Sequence, residues 1–360
     1  MLLFLLLPLH NSILATNKPQ ITTNHQKENT TTYDLNTSIN RYYTNNRKEL
    51  LILWWNVENL FDTHDDPKTD DDEFTPQGRL QWTAKKLLLK QVRIGTLLRA
   101  VKSDSRIRSY PDLIAFAEVE NQAVFAGTLA TAGLGGYLTV CHESPDPRGI
   151  DIGLAWNPRT VAFTGSKPYR VRLEARGTRE VIVAGFSFRR HPFSVVLNHW
   201  PSRSFDADWT EPNRIAAAKV ARHIVDSLRT HNPKSSIIVM GDFNDPPASR
   251  SVRDVLGSTF DRNLVRTHGN RLLYNCWNDL RSGGSYAYRG KWERIDQILV
   301  SEDLLGGHDL MLAPGSFGPF FFPHMLDPSG KKLYPTYEKG HYRGGYSDHL
   351  PLLLKLGIAD

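Results

Sequence analysis

The chain has 360 residues, is 40% hydrophobic and 10% aromatic, and carries a formal charge of +6. That length and apolar content build one large core or two small ones and exclude a fibrous or wholly disordered protein. The only cysteines, Cys141 and Cys276, exclude any metal site made of thiolates alone; they can form one disulfide or remain two buried thiols, and free thiols are the expectation.

Residues 1–9 are almost wholly apolar but too short to cross a bilayer. They read as the apolar stretch of a secretory signal peptide over residues 1–15, ending at Ala15, although no Lys or Arg precedes them. A secreted or periplasmic location is expected, with no later membrane span. In residues 16–46, fifteen of thirty-one are Thr or Asn. Such a composition cannot bury a core, so residues 16–49 are expected to be a disordered linker. The folded domain then occupies residues 50–358.

Within it, an apolar run predicts a strand at residues 50–57. Residues 83–101 have helical spacing, with Leu87, Ile94, Leu98 and Val101 on one stripe. A strand at 112–119 and a helix at 122–131 follow, then strands at 137–141, 150–156, 181–188 and 193–198. An Ala-rich helix at 212–228 carries Ile215, Val220, Ile224 and Leu228. Strands recur at 237–240, 295–300 and 350–356. Many hairpin-linked strands with a few long helices predict an α/β fold of two sheets flanked by helices.

The charge is uneven. Residues 146–203 hold ten Lys/Arg and four Asp/Glu, so the whole surplus of the chain sits there. A localised basic surface suits a phosphate-bearing substrate. Residues 62–73 hold seven acidic side chains but not the spacing of a calcium-binding loop, and read as a solvated loop. The run Phe320-Phe321-Phe322 is flanked by Gly318, Pro319 and Pro323 and reads as a loop packed on the domain.

Polar residues stand at the strand ends: Asn56 and Glu58, Glu118, His199, Asp242 and Asn244, Asp296, Asp348 and His349. Rigid strands with polar groups at their ends favour ligand sites. Taken alone, Gly241-Asp242-Phe243-Asn244 is an ordinary turn after a buried strand. Its company changes that reading. In order, the chain carries Trp55-Asn56-Val57-Glu58-Asn59, Ala117-Glu118-Val119-Glu120-Asn121, Leu197-Asn198-His199-Trp200-Pro201-Ser202, Gly241-Asp242-Phe243-Asn244, Arg294-Ile295-Asp296 and Ser347-Asp348-His349-Leu350-Pro351. This ordered set resembles the endonuclease/exonuclease/phosphatase superfamily, the DNase I-like proteins, and is most similar to secreted bacterial members.

The resemblance implies a four-layer α/β/β/α sandwich of two packed, mostly antiparallel sheets flanked by helices, and a Mg²⁺-dependent attack of water on a phosphoester, with Mn²⁺ as a substitute. It implies Glu118 as the principal metal ligand, with Asn56, Asp348 and Glu58 beside it. Asp242 orients or deprotonates the water, Asn244 binds a phosphate oxygen, and His199 lies near the leaving oxygen. His349 contacts the scissile phosphate and is oriented by Asp296. Arg148, on the basic segment, is a further candidate for phosphate binding.

Elementary chemistry asks for the same residue types. A phosphodiester is anionic and repels nucleophiles, so a hard cation with oxygen ligands neutralises it. Charge gathering on the equatorial oxygens is met by His199, Asn244 and His349. Asp242 and His349 both remain candidates for the base. The leading expectation is a secreted, monomeric phosphodiesterase acting on nucleic acid. Sphingomyelinase-like or inositol-phosphate phosphatase activity would use the same site, and a non-catalytic binding module is the reading from another class.

Overall fold

Strand β1 (Glu49–Leu60) sets the plan. Leu50, Ile52 and Trp54 enter one hydrophobic cluster, Leu51, Leu53 and Trp55 another, and all six are at most 1% exposed. A strand buried on both faces needs a layer on each side. The computed structural model describes residues 48–358 apart from 175, 204, 205, 269, 270, 281, 289, 307–309, 330 and 331. The expected signal peptide, and the expected linker up to residue 47, lie outside the described residues, whereas Glu49 already belongs to β1.

In chain order, β1 is followed by α1 (Ala84–Ser103), β2 (Leu113–Val119), α2 (Gln122–Thr131), β3 (Leu138–Cys141) and β4 (Asp151–Trp156). Next come β5 (Val161–Tyr169), β6 (Val181–Phe188), β7 (His191–His199), α3 (Ala207–His231) and β8 (Ile237–Asp242). Then follow β9 (Ser258–Thr259), α4 (Arg262–Thr267), β10 (Leu273–Asn275), β11 (Tyr286–Tyr288), β12 (Lys291–Glu293) and β13 (Asp296–Val300). The chain closes with β14 (Leu310–Pro319), β15 (Tyr337–Glu338), β16 (His341–Tyr342) and β17 (Leu352–Ile358).

The first sheet has the order β14-β17-β1-β2-β4-β3 and the second β5-β6-β7-β8-β13-β10-β9. Most neighbours are antiparallel, but β1 runs parallel to β2 and β7 parallel to β8. Parallel neighbours need a crossover. Here α1 and α3 lie on those crossovers and supply the outer layers. One cluster, from Leu50 and Trp54 to Val195, Met240 and Ile298, lies between the sheets. A second lies under α1 and α2, and a third, with Ala217, Ala221 and Ile224 of α3, on the far face of the second sheet. The molecule is thus a four-layer α/β/β/α sandwich.

Two long strands, β5 and β14, have no counterpart among the sequence expectations. Both are sheet edges. Strand β5 is largely half-buried or exposed, and β14 contains Pro314, Gly315 and Gly318, so neither shows a buried apolar run. Helix α3 starts five residues before Pro212, because the Asp206 carboxylate accepts from the backbone N–H of Asp208 and Trp209 at 2.8 and 3.0 Å and caps it there. Phe320 is buried and Phe322 packs edge-on against Tyr346, leaving Phe321 exposed. Cys141 and Cys276 are free thiols. Among the described residues no helix is long and apolar enough to cross a membrane.

Candidate active site

The ends of β1, β2, β7 and β8 meet at one edge of the sandwich, where a cleft of about 670 Å³ opens. Ligands gather at the C-terminal ends of parallel strands because the chain leaves the sheet there as loops. Asn56, Glu118, His199, Asp242, Asn244, Asp348, His349 and Arg148 all line this cleft. Asp296 stands directly behind it, and Glu58 points elsewhere.

Glu118 is turned into the cleft by a break in strand register. The pairing of β2 with β4 shifts between Ala117 and Val119, and Glu118 adopts a left-handed φ of 62°. Bulges of this kind re-aim side chains, and the unfavourable backbone costs about 1–3 kcal/mol. Its carboxylate accepts from Asn59 N at 2.9 Å and from Asn56 Nδ2 at 3.2 Å. Asn56 Nδ2 also donates to Asp242 Oδ2 at 3.1 Å, so one buried amide bridges the two sheets' carboxylates.

Asp242 ends β8. Gly241 before it is required by close approach: a Cβ there would sit 2.1 Å from the Asn198 carbonyl oxygen of β7. Asp242 Oδ1 accepts from Asn244 N at 2.9 Å, and Asn244 Nδ2 donates to the Trp200 carbonyl at 3.0 Å. Burial, and then the charge of Asp296, push the Asp242 carboxyl up to about 7.

His349 Nδ1 lies 2.7 Å from Asp296 Oδ2. That aspartate, fully buried, also accepts from Trp54 Nε1 at 2.9 Å and Ser285 Oγ at 2.6 Å. The segment carrying His349 is fixed on β1: Ser347 Oγ donates to the Asn56 carbonyl at 2.7 Å, and Trp55 Nε1 to the His349 carbonyl at 2.9 Å. Burial alone would lower the His349 pKa. The charges of Asp296 and Asp348 override it and hold the imidazole well above its ordinary value. His199 differs: burial, then the cations of Arg179 and Arg148, hold it well below the ordinary range. Its Nε2 lies 4.0 Å from both Glu118 Oε1 and Asp242 Oδ2. The cleft therefore holds one cationic and one neutral histidine.

The carboxylate of Glu58 does not reach this cluster. It accepts from the backbone N–H of Thr336 at 2.6 Å and of Tyr337 at 2.9 Å, above the buried ammonium of Lys90, which donates to the Tyr346 carbonyl at 2.9 Å. Glu58 thus anchors the loop leading to His349. Strict alternation would place it on the Asn56 face, but Glu58 and Asn59 both have φ of 57° and break the alternation.

Sequence reasoning missed Arg179. It is buried, lines the cleft, and donates to Asp146 Oδ2 at 2.7 Å and to the Trp200 carbonyl at 2.6 Å. Asp146 also faces half-exposed Arg148 at 3.5 Å. Ser285 and Tyr286 were missed as well. The only signal for Arg179 was its place in the basic segment.

Asp242, Asp296 and His349 offer ligand atoms within 4.8 Å of one another. Asp296 already accepts three side-chain bonds, so this trio is better described as a histidine–aspartate dyad facing a second aspartate. The donor set for a hard cation lies towards Glu118, Asp242 and Asp348. These are oxygen donors lining one cleft, where the charge of Asp296 adds to burial in raising the Asp242 carboxyl. The residues fit a divalent metal.

Among solved structures, the fold matches the catalytic domain of human Nocturnin with bound sulfate (TM-score 0.54, 16% identity, 87% of this chain and 96% of that one). It matches a humanized D. rerio TDP2 (TM-score 0.53, 15% identity, 86% and 100%). It also matches the Bacteroides thetaiotaomicron mannosyl-6-phosphatase Bt3783 (TM-score 0.53, 13% identity, 85% and 99%). A search of curated proteins gives no sequence match. A sequence model of the Endonuclease/Exonuclease/phosphatase family covers residues 51–357. The chain belongs to the endonuclease/exonuclease/phosphatase family, metal-dependent hydrolases of phosphoester bonds.

Proposed function

We propose that the cleft hydrolyses phosphodiesters of nucleic acid with the help of Mg²⁺. The observation that carries this reading is the opposition of the His349–Asp296 dyad to Asp242, with His349 Nε2 at 3.9 Å from Asp242 Oδ2. An imidazole held towards its cation by Asp296 and a buried carboxyl then face the same small space. Glu118 and Asp348, with Asp242 across from them, would hold the cation, which neutralises the phosphate's charge when bound. Asp242, fixed by Asn244 and Asn56 and facing His349, is placed to accept the proton of the attacking water. A P–O bond to that water forms as the bond to the leaving oxygen breaks. His349 donates to a phosphate oxygen, Asn244 retains a second N–H for another, and neutral His199 contacts the leaving oxygen. Arg148 and Arg179 contribute fixed positive charge on the substrate side. Asn56 positions Glu118 and Asp242, and Glu58 is left out of the metal set.

Buried Phe320 and packed Phe322 give no support to a lipid-inserting loop. The apolar residues 1–9 support export, with a mature N-terminus directly after Ala15 measurable by mass spectrometry.

The test is a panel of single-stranded and duplex DNA and RNA, sphingomyelin, an inositol polyphosphate and a sugar phosphate, with Mg²⁺, Mn²⁺ or chelator. Nucleic acid should be cleaved with Mg²⁺ and not with chelator. Turnover confined to a lipid or a phosphomonoester sinks the nuclease assignment. Undiminished turnover in chelator sinks the metal.

A further inference from the structure

We infer that the rim beside the dyad is a stacking platform for an unpaired nucleobase, and that the chain therefore prefers single-stranded nucleic acid. This rests on the nuclease reading above and names the form of its substrate. The Tyr286 ring lies over the His349 imidazole, with centroids 4.7 Å apart and planes at 38°. Tyr288, two residues on and on the same face of β11, stacks on Tyr286 at 13° with centroids 6.4 Å apart. Both tyrosines line the cleft, and Tyr288, the outer one, is 47% exposed. An aromatic ladder thus runs from the dyad to the solvent.

The ladder is held in place and not left to swing. The Leu350 N–H donates to the Ser285 carbonyl at 2.7 Å, and Ser285 Oγ reaches Asp296. Tyr286 pairs as a bridge with His349. From the other side, Glu293 of β12 is ion-paired with Arg203, tying the β11–β12 hairpin to the segment after β7. A cleft of about 670 Å³ falls within the range of about 300–1,000 Å³ that encloses small ligands. Inside a duplex both faces of a base are covered by the neighbouring pairs, whereas a single strand can turn an uncovered face towards an aromatic ring. The phosphate meets His349 and the arginines while the adjoining base meets Tyr288.

The experiment uses the full chain with Mg²⁺ and end-labelled oligonucleotides in which single nucleotides around the cut are made abasic in turn. Tyr288→Ala should raise KM for the single strand by about 5–100-fold, the effect of losing one stacked base, while Tyr288→Phe stays near wild type. One abasic position should impose the same loss on the wild type and no further loss on Tyr288→Ala. Equal cleavage of duplex and single strand, or losses that multiply at every position, overturns the platform and leaves the nuclease reading standing. If no oligonucleotide is cut while bis(p-nitrophenyl) phosphate is hydrolysed, the nuclease reading has failed and the platform with it.

Discussion

The two sheets are built to one plan and do different chemistry with it. Read across, β14-β17-β1-β2-β4-β3 and β5-β6-β7-β8-β13-β10 have the same sequence of pairings: two antiparallel, one parallel, two antiparallel. The parallel pair in each is closed by a crossover carrying a long helix, and each ends in a carboxylate, Glu118 or Asp242. Each next strand, β4 or β13, opens on a buried aspartate, Asp151 or Asp296. Before each flanking strand, β17 or β6, stands a buried base, His349 or Arg179. The difference is in the partnering. His349 meets the aspartate of the plan, whereas Arg179 pairs with Asp146 from the loop before β4. One half thus holds a titratable base and the other a permanent cation. The same backbone yields proton chemistry on one side and charge on the other.

The largest effects should come from breaking the titratable half. Asp242→Asn removes the base and should lower kcat by about 10²–10⁴-fold. Asp296→Asn removes the charge that keeps His349 protonated, and should cost about 10²–10³-fold in kcat, the loss expected for one transition-state donor. Steady-state kinetics with saturating Mg²⁺ measures both. If Asp296→Asn retains wild-type kcat, the dyad is structural and the two halves do not differ in proton chemistry.

Arg179 probes the fixed half. Arg179→Met leaves Asp146 buried beside a single, half-exposed arginine, and breaking a buried pair costs about 3–5 kcal/mol. Thermal unfolding should show that loss. Arg179→Lys keeps the charge but not the fork that reaches both Asp146 and the Trp200 carbonyl. It should recover stability only in part and raise KM more than it lowers kcat. A fall in kcat as deep as that of Asp242→Asn would assign Arg179 to the chemical step.

Strand ends and their polar residues were legible in the sequence because central strands bury apolar runs that stop abruptly, as at Met240 before Gly241-Asp242. The dyad was legible only through the ordered set of motifs, since nothing local links residue 296 to residue 349. Glu58 shows where alternation fails: two consecutive left-handed residues turned it from the metal side to the Thr336 loop. Arg179 was one arginine among many, and its fold-back onto Asp146 is a tertiary fact. The shared plan of the sheets left no repeat in the sequence, because each core layer fills its space with different side chains.

The smallest effect sharpens the comparison most, because it asks what Asp296's counterpart does without a histidine. Asp151 accepts from the Ser144 N–H at 3.1 and 3.2 Å, and burial, then the charges of Asp146 and Glu143, push its carboxyl from 3.8 to about 7. The folded state therefore holds this proton more tightly than the unfolded chain does. Stability is lost as pH rises from the unfolded value through the folded one, and the loss is complete above about 7. Asp151→Asn has no such loss. The shift of roughly three units at about 1.36 kcal/mol each bounds the gain, and the asparagine's own need for hydrogen-bond partners reduces it to about 2 kcal/mol. Thermal melts should show the variant more stable than wild type at pH 8, with the advantage falling as the pH is lowered and reversed near pH 4, where the asparagine's unmet hydrogen bonds are all that is left. An advantage that does not change with pH would mean that the Asp151 carboxyl does not titrate across this range, and that its burial is not what sets the two aspartates apart.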